Sequence, residues 1–478
     1  MVDVVALFSA IVGAQFCLSG DDAREKYDYD ITRQYLGKSL CVLRPANTAE
    51  VAAILKIANE HLVPVVPQSG NTGLAGGASI SALQDTIILS TDRMNRILDI
   101  NPVSRVAKVE AGVVLANLHA AVAQHGLTFP LLFGARGSCM IGGNLSTNAG
   151  GSNVVRYGNT RALCLGLEVV TPAGEIVNLM SELHKDNTGY DLKDLFIGAE
   201  GTLGVITAAV LKLVPTPKAY ATAMVSVPSI DTALALLHKI QAVSGGAVEA
   251  FEYMPRNYFR RLAMLDPNAP MPFAKPAEIG ILIEVAAASQ RDAIALEDGS
   301  IPVQNTLLDA LSDLMETGEV LDATVATSEA QRLEMWRQRE MAFEVAHSAG
   351  TPVTTDITVP LDKVAVFLTR ANIGLMKLAP KAELIEVAHL GDGNVHYTMC
   401  VDPDDKGPVA KALQTAIYEM VEDVLADLGG SFSAEHGIGV AKLGSMARRK
   451  NPAALAVMRM IKAALDPNNI MNPGKVLP

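Results

Sequence analysis

The stretch from Phe133 to Gly151, FGARGSCMIGGNLSTNAGG, decides the fold. It sets Gly134, Gly137, Gly142, Gly143, Gly150 and Gly151 among Ser138, Asn144, Ser146, Thr147 and Asn148. Residues this small and polar cannot build a core. They let backbone come close to a large polar ligand and offer N–H groups and hydroxyls to it. A flexible surface turn would explain one such loop, but two more accompany it. Upstream, PQSGNTGLAGGAS runs from Pro67 to Ser79, with Gly70, Gly73, Gly76 and Gly77 beside Gln68, Ser69, Asn71 and Thr72. Downstream, GAEGTLGVITAAVLKLVP occupies 198–215 and leads from Glu200, Gly201 and Gly204 into a β-branched strand through Ile206. The Pro67–Ser79 loop is neither a Walker loop nor a GxGxxG dinucleotide fingerprint. Three glycine clusters on alternating strands and helices imply one extended cofactor lying across a domain.

The segments around the loops read as regular elements. Residues 40–66 give strand, helix, strand: CVLRP, then TAEVAAILKIANEH with apolar residues at helical spacing, then VPVVP. LCLGLEVVTPAGEIV reads as a hairpin turning at Pro172–Gly174. The apolar N-terminal stretch VDVVALFSAIVGAQFCL carries Asp3, has no basic leader and ends at charged residues. It is expected to be an amphipathic helix on the first domain, not a secretory signal. After Pro215 the composition shifts, and strands (AMVSV, IGILIEVA) alternate with helices (TALALLHKIQAV, NTLLDALSDLME), the pattern of an antiparallel sheet covered by helices. Residues 286–305 read as a polar loop. EAQRLEMWRQREMAFEVAHSA is helical by periodicity, and TTDITVP follows as a strand. The expected class is α+β, with domains at 1–215 and 216–425 and a segment, 426–478, that completes the site.

Composition excludes several partners. A net charge of −12 argues against nucleic acid or an anionic membrane surface, and 5% aromatics leave little for base stacking. No later stretch has the uninterrupted apolar length of a membrane span. Five scattered cysteines without CxxC spacing fit free thiols in a reducing, cytoplasmic compartment.

Chemistry concentrates late in the chain. VAHLGDGNVH, 387–396, reads as strand, tight turn and strand, and it brings His389 towards His396. Two such histidines can simply close a hairpin. Further on, SAEHGIG sets Glu435 beside His436 in a second glycine-rich setting. Two imidazoles and a carboxylate are a ligand set for zinc or another divalent metal with an open position, and a neighbouring histidine can move a proton. The candidate metal ligands are therefore His389, His396 and Glu435, and the candidate base is His436.

These motifs resemble the flavin-dependent oxidoreductases with a PCMH-type, vanillyl-alcohol-oxidase-like FAD domain. PQSGNTGLAGG is similar to the phosphate loop of that family. GSCMIGGNLSTNAGG, VRYGNTRALCLGLEVV (with Tyr157) and FIGAEGTLGVIT are similar to its other FAD segments. HLGDGNVH, SAEHGIG and MNPGKVLP (with Asn472) resemble its D-2-hydroxyacid dehydrogenase branch. The resemblance implies FAD, oxidation of a D-2-hydroxy acid to the 2-oxo acid, and a separate electron acceptor: an electron-transfer flavoprotein, a quinone or a cytochrome. A homodimer, an oxidase, or an electron-transfer subunit without turnover of its own would each be compatible with it. No histidine lies in 67–79 or 133–151, so the FAD is expected to be non-covalent. Arg339 falls where similar enzymes hold a substrate carboxylate. The branch that takes D-2-hydroxyglutarate has a threonine, a lysine and an asparagine at positions occupied here by Phe343, Thr354 and Thr398. A D-2-hydroxyglutarate-like substrate is the first expectation, and D-lactate or another short or apolar acid is the alternative.

Overall fold

The run from residue 42 to residue 68 folds as its pattern dictates. Asn47 accepts the Glu50 N–H through its side chain and so caps the helix Thr48–Glu60, which buries Val51, Ile54, Leu55 and Ala58 on one face. Parallel strands run on either side of it. The computed structural model describes residues 3–20, 24–35, 37–80, 85–405 and 407–478. It divides into two units: Met1–Gly150, Gly158–Pro215 and Glu435–Pro478 form the first, and Gly151–Tyr157 with Thr216–Ala434 the second.

In the first unit, β1 (Cys17–Leu18), β2 (Val42–Leu43), β3 (Val65–Gln68) and β4 (Ile87–Ser90) form a sheet in the order β1-β2-β4-β3, with β2, β4 and β3 parallel. A second, antiparallel sheet joins β5 (Ile97–Asn101), β6 (Val106–Glu110), β8 (Cys164–Val170), β9 (Ile176–Leu179) and β10 (Val205–Lys212) in the order β5-β6-β10-β8-β9. A short pair joins β7 (Leu127–Thr128) to β11 (Val214–Pro215). The N-terminal helix, Val4–Val12, is capped by Asp3 and sends Phe8 and Val12 into the core that Ile54, Leu55 and Leu89 share.

The second unit is built on one antiparallel sheet. Its strands are β12 (Ala219–Val227), β13 (Val248–Pro255), β14 (Ile279–Ala287), β15 (Asp322–Val325), β16 (Pro352–Thr358), β17 (Glu383–Leu384), β18 (Val387–His389) and β19 (Asn394–Cys400). The order is β15-β12-β14-β13-β18-β19-β16, with β17 also on β19. Alternate residues face opposite sides. Phe251, Tyr253, Ala388, Val395, Tyr397, Val353 and Ile357 point into the main core with the helices Ile230–Val243, Val364–Leu378 and Lys411–Leu428. The residues between them are left to the other face, and several are charged. The expected loop at 286–305 is shorter than read. β14 continues to Ala287, a short helix spans Gln290–Ala293, and the helix reaching Glu316 already begins at Pro302, where proline's missing N–H costs no helical bond. The long helix expected over 329–349 is interrupted at Met341, giving Glu329–Glu340 and Ala342–Ser348. All five cysteines are free. Among the described residues no helix is long and apolar enough to cross a membrane.

Candidate active site

In the first unit the three glycine loops meet. A Cβ on Gly70 would lie 2.3 Å from the Ser138 carbonyl oxygen and 2.8 Å from Cys139 Cα, so only glycine lets the first loop touch the second. Gly201, at φ +72°, packs the third loop onto the Pro67 ring. Asn472 then ties the ends together: its amide donates to the carbonyls of Gly77 at 2.8 Å and Glu200 at 2.7 Å. The same C-terminal segment runs beside β3, with Asn472 N–H donating to the Val65 carbonyl.

The other predicted cofactor residues divide into scaffold and open surface. Ser69 shares a hydrogen bond with Thr91, and Asn71 donates to the Tyr29 carbonyl. Thr147 bonds back to the Gly143 carbonyl, and Asn148, in left-handed conformation, accepts the Arg161 N–H. Asn144 is buried and donates to the Cys139 sulfur, while Gly204 and Ile206 lie in or against β10. Around Gly73, Gly134 and Gly137 the space a Cβ would enter is open. Glu200 is buried and accepts N–H groups from Ile438 at 2.7 Å and Gly439 at 2.8 Å, so its carboxylate anchors the segment after His436. Burial raises its pKa, partly offset by those two bonds. Tyr157 belongs to the second unit and donates to Glu249 at 2.6 Å.

Gln68 Oε1, Asn472 Oδ1 and Lys475 Nζ are among five buried polar atoms of this unit with no hydrogen-bond partner among the described residues, the others being Thr86 Oγ1 and Asp194 Oδ1. Burial pushes the Lys475 ammonium down to about 8, with Glu200 acting in the opposite direction. Unmet acceptors, an unmet cation and glycine-lined open space fit a bound group that has both N–H donors and anionic oxygens, as FAD has.

In the second unit one sheet face carries the chemistry. Glu252 on β13 stands opposite His389 on β18, and Asp356 on β16 stands opposite His396 on β19. The two histidine rings lie edge to face with centroids 5.3 Å apart. Glu252 Oε1 is 2.8 Å from His389 Nδ1; a carboxylate can only accept, so Nδ1 carries the proton. Burial pushes Glu252 up, and the charges of His389 and Arg339 outweigh that, leaving its pKa below the usual carboxylate range. Arg339, 7% exposed, brings Nη2 within 2.8 Å of Glu252 Oε2 from the helix Glu329–Glu340. The approach angle is poor. Arg339 Nε and Nη2 and Glu252 Oε2 are all left without a hydrogen bond. Thr354 and Thr398 form the next cross-strand pair on the same face as Asp356 and His396, with hydroxyls 3.3 Å apart.

Ala434, the last residue of this unit, donates its N–H to Asp356 Oδ2 at 3.2 Å, and Glu435 and His436 follow it in the chain. Asp356, His396, Glu435 and His436 form a group whose ligand atoms all lie within 4.8 Å of one another. Imidazole nitrogens with carboxylates fit a borderline divalent ion. The group differs from the trio expected from sequence: Asp356 and His436 are in it and His389 is not. His389 is instead adjacent to His396 and bonded to Glu252. Phe343 stands 66% exposed against the His347 ring, and Arg337 pairs with Glu334 and Asp266. Glu252 and Asp356 were not singled out by sequence reading. The available signal was a charged residue at an inward position of an otherwise apolar or β-branched strand, as in VEAFEYMP and PVTTDIT.

Comparison with known proteins agrees with this architecture. Residues 216–476 match the family of FAD linked oxidases, C-terminal domain, and residues 39–180 match an FAD binding domain family. The chain is 35% identical over 452 residues to a D-2-hydroxyglutarate dehydrogenase of Xanthomonas citri pv. viticola, covering 95% of this chain and 92% of the relative. It is 37% identical to the mitochondrial D-2-hydroxyglutarate dehydrogenase of Bos taurus, covering 100% of this chain and 83% of that one. Among solved structures, an alkyldihydroxyacetonephosphate synthase superposes with TM-score 0.74 at 16% identity, covering 100% and 86% of the two chains. A p-cresol methylhydroxylase does so with TM-score 0.73 at 16% identity, covering 98% and 95%. The two structures share the fold of this chain; taken with the FAD binding domain match, it is of the vanillyl-alcohol-oxidase-like FAD-binding kind.

Proposed function

Because the chain belongs to the family of FAD-linked oxidases, we propose that it oxidises a D-2-hydroxy acid to the 2-oxo acid, with FAD held non-covalently and a divalent cation, zinc by its donor set, held at His389, His396 and Glu435. FAD supplies the acceptor for the hydride leaving C2, and the cation supplies a Lewis acid for the substrate oxygens. The remaining work falls to side chains. Arg339 grips the substrate carboxylate, Asp356 steadies the loop end at Ala434, and His436 takes the hydroxyl proton on a ring nitrogen.

The observation that carries this reading is the buried guanidinium of Arg339. Its Nε has no hydrogen bond and its Nη2 lies 2.8 Å from Glu252 Oε2, on the element that meets the partner of His389. The names of the relatives favour a D-2-hydroxyglutarate-like acid. The Thr354–Thr398 pair, with exposed Phe343, favours a shorter or more apolar one such as D-lactate, because two neutral hydroxyls offer a second carboxylate no charge. The electron acceptor is separate from this site.

The test is anaerobic bleaching of the bound flavin across a panel of D- and L-2-hydroxy acids, before and after treatment with a chelator. Bleaching by D-acids alone, lost on chelation and restored by zinc or manganese, is the expected result. Flavin that no D-2-hydroxy acid reduces sinks the proposal. Reduction indifferent to exhaustive metal removal sinks the metal's part in it.

A further inference from the structure

We propose that Lys475 is a cofactor-binding residue that favours reduced FAD over oxidised FAD through its buried positive charge. The inference rests on the reading that FAD is bound and that His436 is the base, and it adds the group that raises the flavin's potential. Lys475 is 3% exposed, and its ammonium has no hydrogen bond among the described residues. A buried cation without a partner is costly, and a ligand that brings the missing negative charge removes that cost. The backbone holds the residue in place. Asn472, three residues before it, is bonded to the Gly77 and Glu200 carbonyls, and Val476, just after it, donates its N–H to the Gly439 carbonyl at 3.2 Å. Glu200 is the charge that acts on Lys475, but each of its oxygens already accepts an N–H, from Ile438 or Gly439. That carboxylate therefore lends the ammonium a field and no hydrogen bond. Burial brings the ammonium down to about 8, so it still carries its proton at pH 7.

The same contacts favour the flavin end of the cofactor over its nucleotide end. Gly439, which Val476 holds, lies three residues after His436, and three residues span at most about 11 Å. A base that takes the hydroxyl proton stands beside the carbon that gives up hydride, and that carbon must come within about 3–3.5 Å of the flavin. Lys475 is therefore tied to the segment that meets the flavin ring. Accepting hydride adds one negative charge to that ring. A fixed cation in a buried site of low dielectric stabilises the added charge and makes the flavin a stronger oxidant. Methionine keeps the length of the lysine stem and removes the charge, glutamine removes the charge and stays polar, and arginine keeps the charge.

The experiment uses full-length, FAD-loaded protein at pH 7. The midpoint potential of the bound flavin is measured anaerobically against a reference dye, with a chemical reductant, so it can be read whichever acid is the substrate. K475M should still bind oxidised FAD and should lose about tenfold or more in its preference for the reduced form, which for two electrons lowers the potential by about 30 mV. K475R should stay within about threefold of wild type on the same scale. If K475M does not fold, K475Q decides, because it is neutral as well. A lysine that only supports the fold would instead lower the melting temperature of FAD-stripped K475M and leave the potential of the loaded protein where it was. A potential in K475M or K475Q within about threefold of wild type overturns the proposal, and so does K475R falling as far as K475M. A wild-type protein that binds no FAD shows instead that the cofactor reading itself has failed, and Lys475 loses this role with it.

Discussion

Replacing Asn472 tests whether the C-terminal segment holds the glycine loops together. The residue is 1% exposed, and its amide nitrogen gives two hydrogen bonds, to the Gly77 and Glu200 carbonyls. Glycine at this position removes both donors and leaves two buried acceptors short. At about 1–2 kcal/mol for each unmet acceptor, N472G should cost about 2–4 kcal/mol. Asn472 sits at φ 43°, so alanine should add about 1 kcal/mol of backbone strain that glycine avoids. Aspartate should be worst, since it turns a buried charge and two lone-pair oxygens towards two carbonyls. Each kcal/mol lowers the melting temperature of a unit this size by about 2–4 °C, so N472G should melt about 4–16 °C lower, with N472A below it and N472D lowest. FAD affinity should fall in the same order, by about 30-fold or more for each 2 kcal/mol transmitted to the loops. The assay is thermal unfolding of FAD-stripped and FAD-loaded protein together with equilibrium titration of FAD. Wild-type melting and wild-type FAD affinity in N472G, or N472D the most stable of the three, would refute the argument.

Other perturbations separate the remaining roles. H436N should lower the rate of anaerobic flavin reduction by about 10²–10⁴ while FAD and zinc stay bound, and a rate within a factor of about ten of wild type removes His436 as base. Lys475 gives a pH signature in FAD-stripped protein. Its folded pKa, about 8, lies below the ordinary 10.5, so between those values the unfolded chain binds more protons and stability rises with pH. Below pH 8 both states are protonated and the cost of burying the ammonium is felt in full. K475M should therefore be the more stable form at pH 7 and should lose the rise between pH 8 and 10 in denaturant titrations. Parallel pH profiles for the two proteins would contradict it. Thr354→Lys should shift preference towards acids with a second carboxylate, read as the ratio of kcat/KM for D-2-hydroxyglutarate over D-lactate. A ratio unchanged or lowered removes Thr354 from the side-chain end of the substrate site.

What the sequence made legible was whatever a local pattern controls. Glycines that stand where a side chain would collide, as at Gly70, appear as a cluster in the chain because a whole loop must approach another. The His389–His396 hairpin was readable because β18 and β19 are joined by a short turn, so both histidines and the glycines that turn the chain lie in one stretch. Glu252 and Asp356 lie in strands remote from those they face. Glu252 is separated from His389 by 137 residues, and nothing in VEAFEYMP says which strand will lie beside it. The same limit explains Glu200. Its glycine-rich surroundings suggested a cofactor contact, whereas the fold spends its carboxylate on backbone N–H groups 238 and 239 residues away. Local pattern thus finds the residues that shape a cavity, and sheet order finds the residues that tune it. The two charges absent from the sequence reading are the ones that take the His389 Nδ1 proton and hold the backbone at Ala434. A sequence match to HLGDGNVH alone therefore says less about the state of its histidines than that motif with an acidic residue in register on the neighbouring strand.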